Sequence, residues 1–186
     1  MLANLLTSIL RLMVFRAGPQ DVPYSPQLLR FIIPVAVAIG WILFSVVLPV
    51  LPAAVMSIVN VLGTVLVAQG ILRARDLAGR VPQTVTALVG SGIILNLLMI
   101  YPAMLLAPHI AEIAKHPELL KTGGIKLPEG PVLAVDGLNL WGFIISAYIY
   151  RHAANVRALG GIGFAILAGL VVLMLVLLAA TFVSML

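Results

Sequence analysis

The chain has 186 residues, of which 62% are hydrophobic and only 9% are charged. A soluble domain has about 45–50% apolar and about 25% charged residues, so this composition excludes a water-soluble domain and predicts an all-α, polytopic transmembrane helical bundle. The net charge of +5 does not indicate a nucleic-acid partner, because the basic residues are scattered between apolar stretches. The absence of cysteine excludes disulfides, thiolate metal sites and thiol nucleophiles.

Residues 1–16 are predicted to form an amphipathic helix that lies in the membrane interface. Asn4, Thr7, Ser8 and Arg11 recur at spacings of three and four, so they share one helical face, and apolar residues cover the remainder. The arginines follow the apolar run, whereas the positive charge of a signal peptide precedes it. Residues 17–30, with three prolines between positions 19 and 26, are predicted to form an irregular connector.

Five apolar segments are then long enough to cross a hydrocarbon core of about 30 Å. They cover about residues 31–48, 53–72, 83–107, 133–151 and 158–186, with an external loop at 108–132. The first two are predicted to form a close hairpin, because the prolines at positions 49 and 52 leave only a tight turn between them.

Several residues predict details of these spans. We expect Pro34 in the opening turn of the first span, where its missing N–H costs no hydrogen bond. Pro102 predicts a kink or an early exit in the third span. Asp136 is expected to cap the amino end of a helix that starts at Gly137. The fifth span is longer than a perpendicular crossing needs, so it must tilt, project past the lipid or kink near residues 160–163.

Charge predicts the orientation of the five spans. With this count every arginine falls on one side of the membrane and every lysine on the other. The positive-inside rule then predicts a cytoplasmic amino terminus, a carboxyl terminus on the opposite side, and location in the cytoplasmic (inner) membrane. Arg151, His152 and Arg157 form a basic patch on the arginine side, for which anionic lipid headgroups are the simplest partners.

Two sets of residues predict helix contacts within the bilayer. Gly161, Ala165 and Gly169 form a strip at intervals of four that allows close approach of another helix, either within the chain or in a partner or second copy. Four polar side chains in the second and third spans are expected to point into the bundle: Asn60, Thr64, Gln69 and Asn96. We expect hydrogen bonds between Asn60 and Asn96, although a transport path is the alternative. Trp141, Tyr148 and Tyr150 fit an aromatic belt.

The loop at 108–132 carries the one set of residues with metal-ligand character. His109, Glu112 and His116 would share one face of a short helix, and two imidazoles with a carboxylate suit a divalent ion. Solvated polar residues on a surface helix are the simpler interpretation, since no H-E-x-x-H signature is present. We therefore predict no metal and no cofactor.

A short amino-terminal segment, five spans and a close first hairpin together resemble the Yip1-like family of small membrane proteins. Members in eukaryotes carry Asp-Leu-Tyr-Gly-Pro before the first span, where this chain has Gly-Pro-Gln-Asp-Val-Pro-Tyr at residues 18–24. The resemblance covers the organisation of the whole chain, and no functional residue is carried over by it. It implies a protein that acts through partners in membrane organisation or trafficking, without catalysis.

Three functions follow from these observations. The leading expectation is a non-enzymatic membrane protein that acts through helix contacts with lipid, a second copy or another membrane protein. The second is a small-solute transporter or channel subunit, with Asn60, Thr64, Gln69 and Asn96 along its path. A membrane-embedded enzyme is disfavoured, because no paired carboxylates or histidine clusters face the bilayer interior.

Overall fold

The computed structural model describes residues 2–116, 118 and 126–183, and the chain folds as an all-α bundle. Its helices are α1 (Leu2–Met13), α2 (Pro26–Ser45), α3 (Val50–Arg73), α4 (Val81–Lys115), α5 (Glu129–Ala153) and α6 (Ala158–Val183). Short 3-10 turns at Pro19–Asp21 and Ala78–Arg80 precede α2 and α4. Helices α2 to α6 are each long and apolar enough to cross a membrane, which agrees with the five predicted spans.

Four of the long helices surround a common interior. Helix α3 packs against α4 and α6, and α5 packs against the same two helices from the other side, so α3, α4, α5 and α6 form a ring. Helix α2 lies outside the ring against α3 and α4. It joins α3 through residues 46–49 only, as the hairpin prediction requires.

The two ends of the bundle are packed differently. At the end that carries the arginines (the arginine-bearing end), residues 84–91 of α4 are buried without a break, and Leu72 and Ala154 are completely buried. Arg80 at this end donates hydrogen bonds to the carbonyl oxygens of His152 and Ala153 at 3.3 and 3.1 Å, which joins the turn before α4 to the end of α5. Beyond residue 91 only Pro102 and Leu106 of α4 are buried, so α4 is packed less tightly toward the opposite, lysine-bearing end.

Helix α1 packs on the outside of this bundle. Its buried face consists of Leu5, Ile9, Leu12 and Met13, and the Ile9 side chain occupies the space left by Gly90 of α4. The Trp141 indole donates a hydrogen bond to the carbonyl oxygen of Met13 at 3.2 Å. Trp141 lies at the middle of α5, so the prediction that it belongs to an aromatic belt at the end of the span is wrong.

Two predicted helix starts are also wrong. Helix α2 begins at Pro26, where the Ser25 hydroxyl accepts the Leu28 N–H, so Pro34 lies inside the helix and not in its opening turn. Helix α5 begins at Glu129, so Asp136 is an exposed residue within the helix and caps nothing. Both helices start earlier than their apolar runs, because a polar first turn can extend beyond the lipid.

Two long helices are continuous where the sequence predicted an exit or a bend. Helix α4 continues through Pro102 and Pro108 to Lys115, so the predicted early exit at Pro102 is wrong and α4 extends past the predicted end of the third span at residue 107. Helix α6 is assigned without a break from Ala158 to Val183. Tilt, a kink within the helix or projection past the lipid stays the prediction for this long span.

Candidate functional site

The ring of α3, α4, α5 and α6 encloses a cavity of about 410 Å³. This volume is within the usual range for sites that bind small molecules, about 300–1,000 Å³. Every helix of the ring contributes lining residues, and α3, α4 and α5 contribute polar ones. The polar lining residues are Asn60, Thr64, Ser91, Asn96, Asn139, Ser146 and Tyr150.

Most of these polar groups have unused hydrogen-bonding capacity. The Thr64 hydroxyl donates to the backbone carbonyl oxygen of Asn60 at 2.9 Å, and the Ser91 hydroxyl donates to the backbone carbonyl oxygen of Ala87 at 2.8 Å. Within the described ranges, the side chains of the three lining asparagines, Ser146 and Tyr150 have no hydrogen-bond partner. Since unpaired polar groups are costly in an apolar environment, they favour a ligand or water in the cavity.

Helical periodicity explains how the polar groups meet. Asn60 and Thr64 are one turn apart on α3, and Asn139, Ser146 and Tyr150 follow one face of α5 at spacings of seven and four. Gly92 on α4 and Gly169 on α6 also line the cavity, and a Cβ atom at either position would meet nothing within 4 Å. These glycines therefore leave space that larger side chains would fill.

The cavity is closed at one end. Tyr150, which is 2% exposed, lies at the arginine-bearing end of the cavity and packs on Phe164 with ring centroids 6.5 Å apart. Asn139, toward the lysine-bearing end, is exposed. From Asn139 to Tyr150 the helical rise of 1.5 Å per residue gives a length of about 16 Å. The cavity thus extends through about half of a 30 Å hydrocarbon core.

Of the four polar residues predicted to point into the bundle, three line the cavity and one does not. Asn60, Thr64 and Asn96 all line the cavity. The expected hydrogen bond between Asn60 and Asn96 is not formed, as neither side chain has a partner in the part of the chain that the structure describes. Gln69 is half-buried and does not line the cavity. It follows Asn60 by nine residues, about two and a half turns, and so lies on the opposite face of α3.

The small-residue strip on α6 is divided between packing and the cavity. A Cβ atom on Gly161 would lie 2.5 Å from the Ala147 carbonyl oxygen, so α5 approaches α6 closely here. Ala165 is buried, whereas Gly169 faces the open cavity. The part of the strip that makes a close helix contact therefore does so within the chain.

The contribution of α5 was missed by the sequence analysis. Tyr150 is buried in the bundle and is not part of an aromatic belt. The available signal was the shared face of Asn139, Ser146 and Tyr150, which continues the polar character of Asn60 and Asn96 on a third helix.

His109, Glu112 and His116 do not form one helical face as predicted. His109 and Glu112 lie near the end of α4, but His116 has left the helix, and its Nδ1 lies 3.2 Å from an oxygen of Glu118. Across the residues that the structure describes, no group of three or more histidine, aspartate or glutamate side chains is placed to hold a metal ion.

No family model, no curated protein and no solved structure matches this chain. The resemblance to the Yip1-like family therefore stays a prediction. The function has to be argued from the cavity itself.

Proposed function

We propose that this protein is a non-enzymatic, multi-pass membrane protein that binds a small, uncharged, polar solute in the cavity and carries it across the membrane. The observation that supports this most strongly is the convergence of three unpartnered carboxamides, on Asn60, Asn96 and Asn139, in one cavity within an apolar bundle. Each carboxamide offers two donors and one acceptor. The site therefore suits a solute with several hydroxyl or amide groups.

The cavity favours an uncharged solute over an ion. None of its described lining residues carries a charge at neutral pH. A charged solute would have no counter-ion there, and burying an unpaired charge in a low-dielectric environment is far more costly than burying a hydrogen-bonded neutral group.

The same lining gives no support to an enzyme. Catalysis by acid–base or nucleophilic chemistry needs a pair of groups such as a carboxylate with a histidine, or a hydroxyl with a base. The residues that line the cavity, all within the described chain, include hydroxyls and amides but no histidine, lysine, aspartate or glutamate.

Transport across the membrane requires a second conformation. In this structure Tyr150 and its buried neighbours bound the cavity at the arginine-bearing end, whereas Asn139, which lines it nearer the other end, is exposed. Movement of α5 against α6 would open the closed end, because these helices contribute Tyr150 and Phe164 to the closure.

Osmotic swelling of vesicles tests this proposal. Vesicles that contain the purified protein should equilibrate urea, glycerol or a larger polyol faster than protein-free vesicles, as measured by stopped-flow light scattering. Gly92→Leu and Gly169→Leu each place an isobutyl group in the cavity and should return the rate to that of protein-free vesicles. Gly163→Leu is the matched control, because Gly163 lies on α6 outside the cavity and a Cβ there also meets nothing within 4 Å.

The results that would contradict solute transport are specific. Wild-type vesicles that are no faster than empty ones for every solute would refute it. Equal rates for the wild type and the two cavity-filled variants would show that the solute does not cross the membrane through this cavity.

Action through partners, in membrane organisation or trafficking, remains a second prediction from the sequence. The small-residue strip that favoured it makes its close contact inside the chain at Gly161, which leaves less of that surface for another protein. The cavity is therefore the better supported basis for a function.

We also propose that the arginine-bearing end faces the cytoplasm, as the positive-inside rule predicts. Arg75 and Lys126 are exposed residues at opposite ends. In the cysteine-free chain, Arg75→Cys should react with an impermeant thiol reagent from the cytoplasmic side and Lys126→Cys from the other. Labelling of both from one side would refute the five-span topology, and the reverse pattern would refute the orientation.

A further inference from the structure

A second cavity, of about 300 Å³, lies at the arginine-bearing end, outside the ring that holds the solute cavity. Its polar side chains come from three parts of the chain: the connector before α2, the 3-10 turn with the first turn of α4 that follows it, and the end of α5 with the loop after it. They include Arg80, Gln83, His152 and Asn155, with Pro19 and Ala153 among the apolar wall residues. The site is therefore assembled only when these segments are folded together.

Arg80 is held in place by the protein backbone and has donors to spare. Its Nη1 donates to the carbonyl oxygens of His152 and Ala153 at 3.3 and 3.1 Å. A guanidinium has five N–H donors, so Nε and Nη2 are not used by these bonds. In the described part of the chain no carboxylate oxygen lies within 4.0 Å of this guanidinium.

His152 is oriented in a similar way. Its Nδ1 lies 2.9 Å from the Tyr148 carbonyl oxygen, which makes Nδ1 the protonated nitrogen and leaves Nε2 unused. The ring also packs on Tyr148 with centroids 4.2 Å apart. The imidazole thus has a fixed orientation in the wall of the cavity.

The remaining polar groups complete the walls. The Gln83 amide donates long hydrogen bonds of 3.4 Å to the carbonyl oxygens of Gln20 and Val22, which fasten the connector over the start of α4. Asn155 is exposed beside the opening and has a positive φ of 51°.

The end of the bundle that holds this cavity has more cations than anions. The arginine-bearing end carries eight arginines, whereas only Asp21 and Asp76 lie in its loops. Asp21 accepts the Gly18 N–H at 2.7 Å. Among the described residues the one contact between a basic side chain and a carboxylate, from His116 to Glu118, is at the opposite end. An anion is therefore the missing partner at this end.

We infer that this second cavity binds a phosphate group. The two unused nitrogens of the Arg80 guanidinium and the Asn155 carboxamide offer N–H donors that match the several acceptor oxygens of a phosphate. Two sources share this chemistry, the headgroup of an anionic phospholipid and a soluble phosphate. This phosphate site is additional to the proposed transport function, and its test does not depend on whether the protein transports a solute.

Binding by the purified full-length protein tests this inference. One arm titrates phosphatidylglycerol against phosphatidylcholine and measures retained lipid by native mass spectrometry. The other measures the rise in melting temperature with inorganic phosphate against chloride at equal ionic strength. Preference for phosphatidylglycerol alone identifies a lipid headgroup, and stabilisation by inorganic phosphate identifies a soluble ligand; either result supports the site.

Variants locate the binding. Arg80→Gln should weaken it about tenfold, the effect expected for losing a charge-assisted hydrogen bond. Arg75→Gln is the matched control, an exposed arginine near the same loop that does not line the cavity, and should change affinity less than about twofold. Asn155→Gly should weaken binding about threefold with the fold retained, because glycine adopts its positive φ readily.

Two results would overturn the inference. The first is a wild-type protein that shows neither a preference for phosphatidylglycerol nor stabilisation by inorganic phosphate. The second is an equal loss in Arg75→Gln and Arg80→Gln, which would mean that charge spread over the surface binds the anion. A loss confined to Arg80→Gln and Asn155→Gly would support the cavity.

Discussion

Replacement of Gly161 by alanine tests how closely α5 and α6 approach at the arginine-bearing end. The new Cβ would lie 2.5 Å from the Ala147 carbonyl oxygen and 3.0 Å from the Arg151 Cα. Contacts between such atoms are optimal near 3.5–4.0 Å, so the helices must separate by about 1 Å. Overpacking of this kind costs about 1–3 kcal/mol. The closed end of the solute cavity would loosen with it.

The matched variant is Gly163→Ala, two residues further along α6, where a Cβ meets nothing within 4 Å. Both substitutions gain the same helix propensity, about 1 kcal/mol, so this gain cancels in the comparison. The free energy of unfolding, from dodecyl sulfate titration in mixed micelles followed by circular dichroism, should be lower in Gly161→Ala by about 1–3 kcal/mol. Equal stability of the two variants would refute the close approach.

Two other contacts give simple predictions. Trp141→Phe removes the hydrogen bond to Met13 and should speed tryptic cleavage after Arg11. Trp41→Phe is the control, because it loses a hydrogen bond to Val50 at the opposite end and should leave the cleavage rate unchanged. Equal cleavage rates in the two variants would contradict the anchoring of α1 by Trp141. Ser57→Ala removes the bond of 2.7 Å from the buried Ser57 hydroxyl to the Val37 carbonyl oxygen and should lower the free energy of unfolding by about 0.6–1.7 kcal/mol. The control is Ser45→Ala, whose hydroxyl has no hydrogen bond among the described residues; an equal effect there would contradict the assignment.

The number of long helices was predictable because the lipid requirement acts on each segment separately. An apolar run of sufficient length marks a span whatever its neighbours do. The starts of α2 and α5 were not predictable in this way. Ser25 with Pro26, and Pro128 with Glu129, set the helix starts in polar sequence outside the apolar runs. For the same reason hydropathy misplaced Asp136 as a cap.

The candidate site was predictable only in part, because it depends on how the helices face each other. Asn60, Thr64 and Asn96 were expected inside the bundle, since polar groups avoid lipid. Whether they bond to each other or border a cavity is decided by Gly92 and Gly169, which leave the space between the helices unfilled. The sequence contains these glycines but does not reveal what lies opposite them.

The solute-binding role of the cavity also depends on its contact with water. Ser146 lines the cavity, and Leu66 on α3 is 62% exposed on the outer surface of the bundle. Because the natural chain has no cysteine, Ser146→Cys and Leu66→Cys can each be probed singly in sealed vesicles with a small, impermeant methanethiosulfonate reagent. The cavity should admit the reagent from the side of the lysine-bearing end only.

Thiol reactivity at position 146 is thus the measurement that tests most directly whether the polar cavity is accessible to water. We expect Ser146→Cys to react from the lysine-bearing side and to be protected by the solute that the protein transports, while Leu66→Cys remains unreactive in the lipid. A cysteine at 146 that is as inert as the one at 66 would contradict an open polar cavity in this bundle.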